Sequence, residues 1–245
     1  SMTAQAAKYG ITATTIASIQ IRGDIAINGD RPFPAAVAKP RAALVQKIEQ
    51  LGFDQVMEQV AYSWFNRLCA IRYMELHDYL GHGRRLLSHP DQSEGYQILD
   101  DCLDIDLLGL NQQRVRELKL DGTQDEALYR ELLLAQCHAL HEAMPFLFET
   151  IDDETELLLP DNLTKTDSLI KELVASIPEE DWQNIEIIGW LYQFYISEKK
   201  DQVIGKVVAS EDIPAATQLF TPNWIVKYMV QNSLGAQWLA TYPQS

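Results

Sequence analysis

From residue 35 onward, apolar side chains recur every three to four positions in blocks interrupted by Gly and Pro. That period admits helices and little else. Leu44, Val45, Ile48 and Leu51 mark a helix over 41–51, which Gly52 ends. Val56, Val60, Trp64, Leu68 and Ile71 share one stripe over 54–80, and Gly81 and Gly83 stop it. Short helices are expected over 95–103 and 111–119. A longer one over 124–144 starts after Asp121-Gly122-Thr123 and ends before Pro145. Another spans 166–176, with Thr166 and Asp167 as candidate caps. Residues 185–198 are apolar almost all round, through Ile187, Ile188, Trp190, Leu191, Tyr192, Phe194, Tyr195 and Ile196, the pattern of a buried helix. A last helix is expected over 222–239. Between these, 84–95 and 157–165 read as loops, Asp152-Asp153-Glu154-Thr155-Glu156 as an acidic turn or helix start, and 199–216 as a linker. Ahead of residue 35, Ile19, Ile21, Ile25 and Ile27 alternate around Gly23-Asp24, which suggests a hairpin within an otherwise irregular arm. The fold class is mostly α.

Composition narrows the function. Hydrophobic residues make up 47% of the 245, enough to bury a core. No run reaches the ~18 apolar residues that a membrane span needs, and no leader pattern opens the chain, so a cytoplasmic protein is expected. Ser1-Met2 reads as an expression scar. Cys69, Cys102 and Cys137 are few and scattered, which fits reduced, buried thiols. The net charge of −15 opposes nucleic-acid binding by the average surface. Local cations are therefore the DNA-phosphate candidates, namely Arg84 and Arg85 in one expected loop and Lys199 and Lys200 in another. Asn66, Arg67 and Arg72 lie on a long helix, where buried hydrogen bonding is the simpler role. Trp190, Tyr192, Phe194 and Tyr195 would suit base stacking, but helix core is the simpler reading. His138 and His141 could share a helix face with Cys137, yet no second ligand cluster accompanies them, and no metal site is expected. A restriction nuclease would place an Asp and a Glu-x-Lys on adjacent strands around Mg²⁺. Asp106 with Glu117-Leu118-Lys119, and Glu198-Lys199-Lys200, match the string but lie in helical patterns.

The most specific string is Thr217-Gln218-Leu219-Phe220-Thr221-Pro222-Asn223-Trp224-Ile225-Val226-Lys227-Tyr228-Met229-Val230. Locally it is a well-started helix, with Thr221 as N-cap and Pro222 in the first turn. It also resembles the F-T-P-x-x-[IV]-V motif of amino-methyltransferases that modify adenine in DNA. Two further segments extend the likeness. One is Ala61-Tyr62-Ser63-Trp64-Phe65-Asn66-Arg67-Leu68 with Arg72-Tyr73-Met74-Glu75. The other is Pro178-Glu179-Glu180-Asp181-Trp182 with Glu186-Ile187-Ile188-Gly189-Trp190-Leu191-Tyr192-Gln193-Phe194-Tyr195. Together with Pro214-Ala215-Ala216 before the F-T-P string, they resemble the PglX family, the methyltransferases of BREX phage-defence systems. The likeness covers about 40–80 and 157–240, and is weak over 85–150.

The resemblance implies transfer of a methyl group from S-adenosyl-L-methionine to N6 of an adenine flipped out of duplex DNA, marking host DNA against phage. It implies that Phe220, Thr221 and Pro222 line the pocket for the methionine end of the cofactor, where a helix N-terminus suits a carboxylate. The family's Asn/Asp-Pro-Pro-Tyr/Phe motif and its Gly-rich cofactor motif are absent, and the only G-x-G is Gly81-His82-Gly83. The organisation is therefore read as an irregular arm with the scar over 1–34, a helical N-terminal domain over 35–205, and a linker with the F-T-P helix over 206–245. The Rossmann-like catalytic domain would follow, outside this chain. Expected partners are duplex DNA through the full-length parent, and other BREX proteins or phage-encoded inhibitors. A protein-interaction module is the alternative that the acidity favours. With no catalytic motif, this chain alone is expected to show no turnover in a tritiated methyl-transfer assay on duplex DNA. Clear incorporation would overturn that expectation.

Overall fold

The computed structural model describes residues 1–28, 31–91, 95–148, 154–203, 205, 213–217 and 221–244. It divides into two units, Ser1–Pro178 and Glu179–Ser245. The first opens with helix α1 (Met2–Lys8), started by the Ser1 hydroxyl, which accepts from the Ala4 amide. A three-stranded antiparallel meander follows, β1 (Gln20–Arg22), β2 (Ile25–Asn28) and β3 (Arg31–Pro34). The expected hairpin forms around Gly23, at φ 59°, with Ile21 opposite Ala26. The third strand lies where the sequence reads as irregular arm, and it carries Pro32 and Pro34. It forms because β3 is an edge strand, where a missing N–H need not face a ladder partner.

Two helices then pack as a pair, α2 (Ala38–Leu51) and α3 (Phe53–Leu76), with Gly52 at φ 91° between them. Pro40 sits in the first turn of α2, the one place where a helix tolerates it. The apolar stripe of α3 is buried as its spacing predicts, through Val56, Val60, Trp64, Leu68 and Ile71. Four short helices and one long one complete the unit: α4 (Gln97–Asp100), α5 (Gln112–Asp121), α6 (Asp125–His141), α7 (Glu154–Leu157) and α8 (Leu169–Ser176). Asn111 caps α5 by accepting from the Arg114 amide, and Gly122 ends it at φ 68°. At α8 the cap is Ser168, which accepts from the Lys171 amide at 3.1 Å, in place of the expected Thr166 or Asp167. The helix begins later than its polar prelude suggests, and only the residue flanking the first turn can reach its free amides. The core joins α3 and α6 to the loops around them, with Trp64, Tyr129, Leu86, Leu132, Phe148 and Leu159 all fully buried.

The second unit holds α9 (Glu186–Val203), α10 (Ile213–Thr217), α11 (Asn223–Val230) and α12 (Ala236–Thr241). Helix α9 runs past 198, so Lys199 and Lys200 lie on a helix and not in the expected loop. A polar stretch can close an amphipathic helix as readily as it forms a linker. Between α11 and α12 a π-turn over Gln231–Gly235 takes up the register, and Asn232 and Ser233 bond back to the Tyr228 and Met229 carbonyls. Among the described residues no helix is long and apolar enough to cross a membrane.

Helix α3 stops short of residue 80. The Tyr79 amide donates to the Met74 carbonyl at 2.8 Å, and Asp78 closes the end at φ 57°. That left-handed conformation favours Gly and disfavours a residue with a Cβ. Asp78→Gly is expected to raise stability by about 0.5–1 kcal/mol, read as a higher urea midpoint at unchanged slope.

Candidate functional site

The polar residues of α3 face inward. Arg72 Nη1 donates to Glu75 Oε1 at 2.5 Å and to Ser88 Oγ at 2.7 Å. The Leu87 amide donates to the second Glu75 oxygen at 2.6 Å. Arg72 and Glu75 are almost fully buried, and burial pushes the Glu75 carboxyl above its ordinary value against the pull of Arg72. Arg67 donates to the Leu147 carbonyl and the Thr155 hydroxyl, with its guanidinium 5.0 Å over the Trp64 ring. Both arginines thus fasten loops to the core and offer no charge to a phosphate.

The loop after α3 carries the first pair of phosphate candidates. Arg84 donates from Nε to Asp101 Oδ2 at 2.9 Å and from Nη1 to the His82 carbonyl at 3.1 Å. Its charge is therefore already matched by a carboxylate. Arg85 is half-buried, and its amide donates to the Gln97 side chain. Tyr73 and His77 stack at 4.1 Å beside this loop, and Tyr79 joins them at 5.6 Å from His77. Lys200 is half-buried on α9, and the Lys199 side chain lies outside the described residues. The arginine pair belongs to the first unit and the lysine pair to the second.

The histidines of α6 also serve the interior. His138 Nε2 meets Glu156 Oε1 at 2.5 Å, and His141 Nδ1 donates to the Phe148 carbonyl at 2.6 Å. Cys137, buried beside them, has its thiol pushed up to about 12 by desolvation, so it is no thiolate ligand. Among the described residues no three His, Cys, Asp or Glu side chains converge as metal ligands would. The nuclease-like Glu117 and Lys119 sit on helix α5, and Lys119 is spent on the Leu99 carbonyl at 2.7 Å.

In the second unit, Phe220 lies outside the described residues, while Thr221 and Pro222 are exposed just before α11. Pro222 takes the cap position expected of Thr221, because its ψ of 140° is extended and the helix begins at Asn223. The free Asn223 amide donates to the Glu186 carboxylate at 2.9 Å. No spacing rule links residues 37 apart, so only the folded unit reveals that pairing. Trp190 and Phe194, expected in a helix core, are instead 47% and 77% exposed. Among the described residues only part of the apolar girth of α9 is covered, chiefly Ile187 and Ile196. Helices α11 and α12 expose Trp224, Tyr228, Met229, Trp238 and Leu239 as well, and the turn between them exposes Leu234.

His82 offers a pH test of the loop. Its Nδ1 accepts from the Arg84 amide at 3.1 Å, so the neutral ring donates from Nε2 to Gln136 Oε1 at 2.8 Å. Burial, chiefly, lowers its pKa below the ordinary 6.5. A base with a depressed folded pKa adds stability that is complete above its unfolded value and is lost as pH falls below about 6.5. The urea midpoint should therefore drop between about pH 7.5 and 5.5 more in the parent chain than in His82→Gln. Equal drops would discharge His82 from that role.

No family model matches the chain. It is 61% identical over 232 residues to the adenine-specific methyltransferase BrxX of Escherichia coli O9:H4 (strain HS), an alignment covering 94% of this chain and 19% of that protein. It is 43% identical over 218 residues to the adenine-specific methyltransferase PglX of Lacticaseibacillus casei (strain Zhang), covering 83% of this chain and 18% of that protein. The chain thus spans about a fifth of the length of these relatives. Along nearly all of its residues, it is a relative of the adenine-specific methyltransferases BrxX and PglX, matched to about one fifth of each.

Proposed function

We propose that the chain is a non-catalytic part of an N6-adenine DNA methyltransferase acting in BREX phage defence, and that its second unit docks on the cofactor-binding domain of the parent. The observation that carries this reading is the apolar surface of α11, α12 and the turn between them, where Trp224, Tyr228, Leu234 and Trp238 are each more than half exposed. Soluble proteins rarely leave so many large apolar side chains of one helical stretch open to water, and a parent as long as the relatives, about five times this chain, has the mass to cover them. Identity of 61% to an adenine-specific methyltransferase over nearly the whole chain supports a methyltransferase parent.

S-adenosyl-L-methionine, when bound, supplies the activated methyl group. The turn at Thr221-Pro222 suits its methionine end, where the cofactor carboxylate would displace Glu186 from the Asn223 amide. In this reading Thr221 and Pro222 orient the cofactor, Phe220 joins them in lining the pocket, and α11 presents its positive end. Duplex DNA is the parent's substrate, and the cytoplasm is its compartment. The net charge of −15 favours a second role, docking of basic protein partners within the defence system.

Hydrogen exchange tests the docking. Amides of 223–241 should exchange at least about tenfold more slowly in the full-length parent than in this chain. Equal exchange in both would sink the docking reading.

A further inference from the structure

The cations that converge on a common groove are not those that stand out in the sequence. Lys8 at the end of α1 and Arg31 at the start of β3 line an open groove of about 610 Å³ with Asn28, Ala4 and Ala7. We propose that this groove takes the phosphodiester backbone of duplex DNA, an inference that rests on the parent being a DNA methyltransferase.

The groove is built and not incidental. Gly10, at φ 71°, leaves the space that Asn28 fills, and a Cβ there would fall 2.2 Å from Asn28 Nδ2. The Asn28 carboxamide is therefore held against the backbone, with its position set before any ligand arrives. Tyr9 and Phe33 lie with ring centroids 5.0 Å apart, tying the end of α1 to β3. Buried Arg41 donates to the Tyr9 carbonyl at 2.8 Å and to the Ala17 carbonyl at 2.5 Å, which fixes the chain leaving α1. Ala4 and Ala7 keep that wall low.

The charge balance favours an anion. Among the described residues, Asp161 beside the groove pairs with Lys8, accepts from Gln5 Nε2 at 2.9 Å and lies 3.8 Å from Arg130. One negative charge is thus shared between two cations, and Arg31 adds a third. Among the described residues at the groove, cations thus outnumber carboxylates, in a chain of net −15. Two cations with an amide donor match the interactions that position a duplex backbone without reading its sequence. A peptide would need an apolar anchor pocket, and among the described lining residues the apolar side chains are the small Ala4 and Ala7.

The test is duplex affinity of the full-length parent against salt. Each phosphate interaction removed should lower the log–log salt slope by about 0.9. Arg31→Ala, which keeps the Lys8–Asp161 pair, should lower the slope by about one and weaken binding severalfold at about 50 mM salt. Lys8→Ala with Arg31→Ala should lower it by about two. Arg84→Ala, at a residue that lies outside the groove and pairs with Asp101, should leave it unchanged. Wild-type slope in the double variant, in a parent that binds and methylates DNA, would overturn the groove and spare the proposed function. A wild-type parent that neither binds nor methylates DNA would overturn both. Loss of polyglutamate binding with duplex binding intact would assign the groove to an acidic protein and overturn the DNA proposal.

Discussion

The first unit depends on side chains that reach from its long helices to hold a segment with almost no hydrogen-bond ladder of its own. Residues 154–164 form one short helix and otherwise loop. Their backbone is met by Trp64 on α3, which donates to the Thr155 carbonyl, and by Arg130 on α6, which donates to the Glu156 and Leu159 carbonyls at 2.6 and 3.0 Å. Glu126 accepts from the Leu163 and Thr164 amides at 2.5 and 2.9 Å. A buried backbone group without a partner is costly, and hydrogen bonds to charged groups contribute about 1.5–3 kcal/mol each. Surface pairs such as Lys8 with Asp161 contribute about 0–1 kcal/mol. The stability of the unit therefore rests on the interior polar interactions more than on the surface pairs.

This division explains why basic residues mislead when read singly. Arg41, Arg67 and Arg72 are all buried and bonded inside the first unit. Arg84 is half-exposed but neutralised by Asp101. What is left for an anion depends on which cations the fold leaves unmatched. In the second unit the opposite holds, and apolar side chains that should be core face water. A helix pattern states that a face needs covering, and it does not state what covers it.

Much of the candidate site is legible in the sequence because its parts are local. The helix start near Thr221-Pro222 follows from the residues flanking it, although the cap falls on Pro222 because its backbone is extended. The stripe of α3 and the hairpin at Gly23 are likewise readable, since periodicity and turn chemistry act over a few residues. Pairings across long spans are not. Glu186 with Asn223, and Gly10 with Asn28, join residues whose separation carries no pattern.

The sequence by itself determined the helical class, most helix positions and the kinship, because spacing, capping and ordered motifs are properties of neighbours along the chain. Only the tertiary structure decided which polar residues are spent inside, that β3 forms on an edge, and that Lys8, Asn28 and Arg31 meet. Those outcomes depend on burial and on charge balance among residues distant in sequence, which no local pattern encodes.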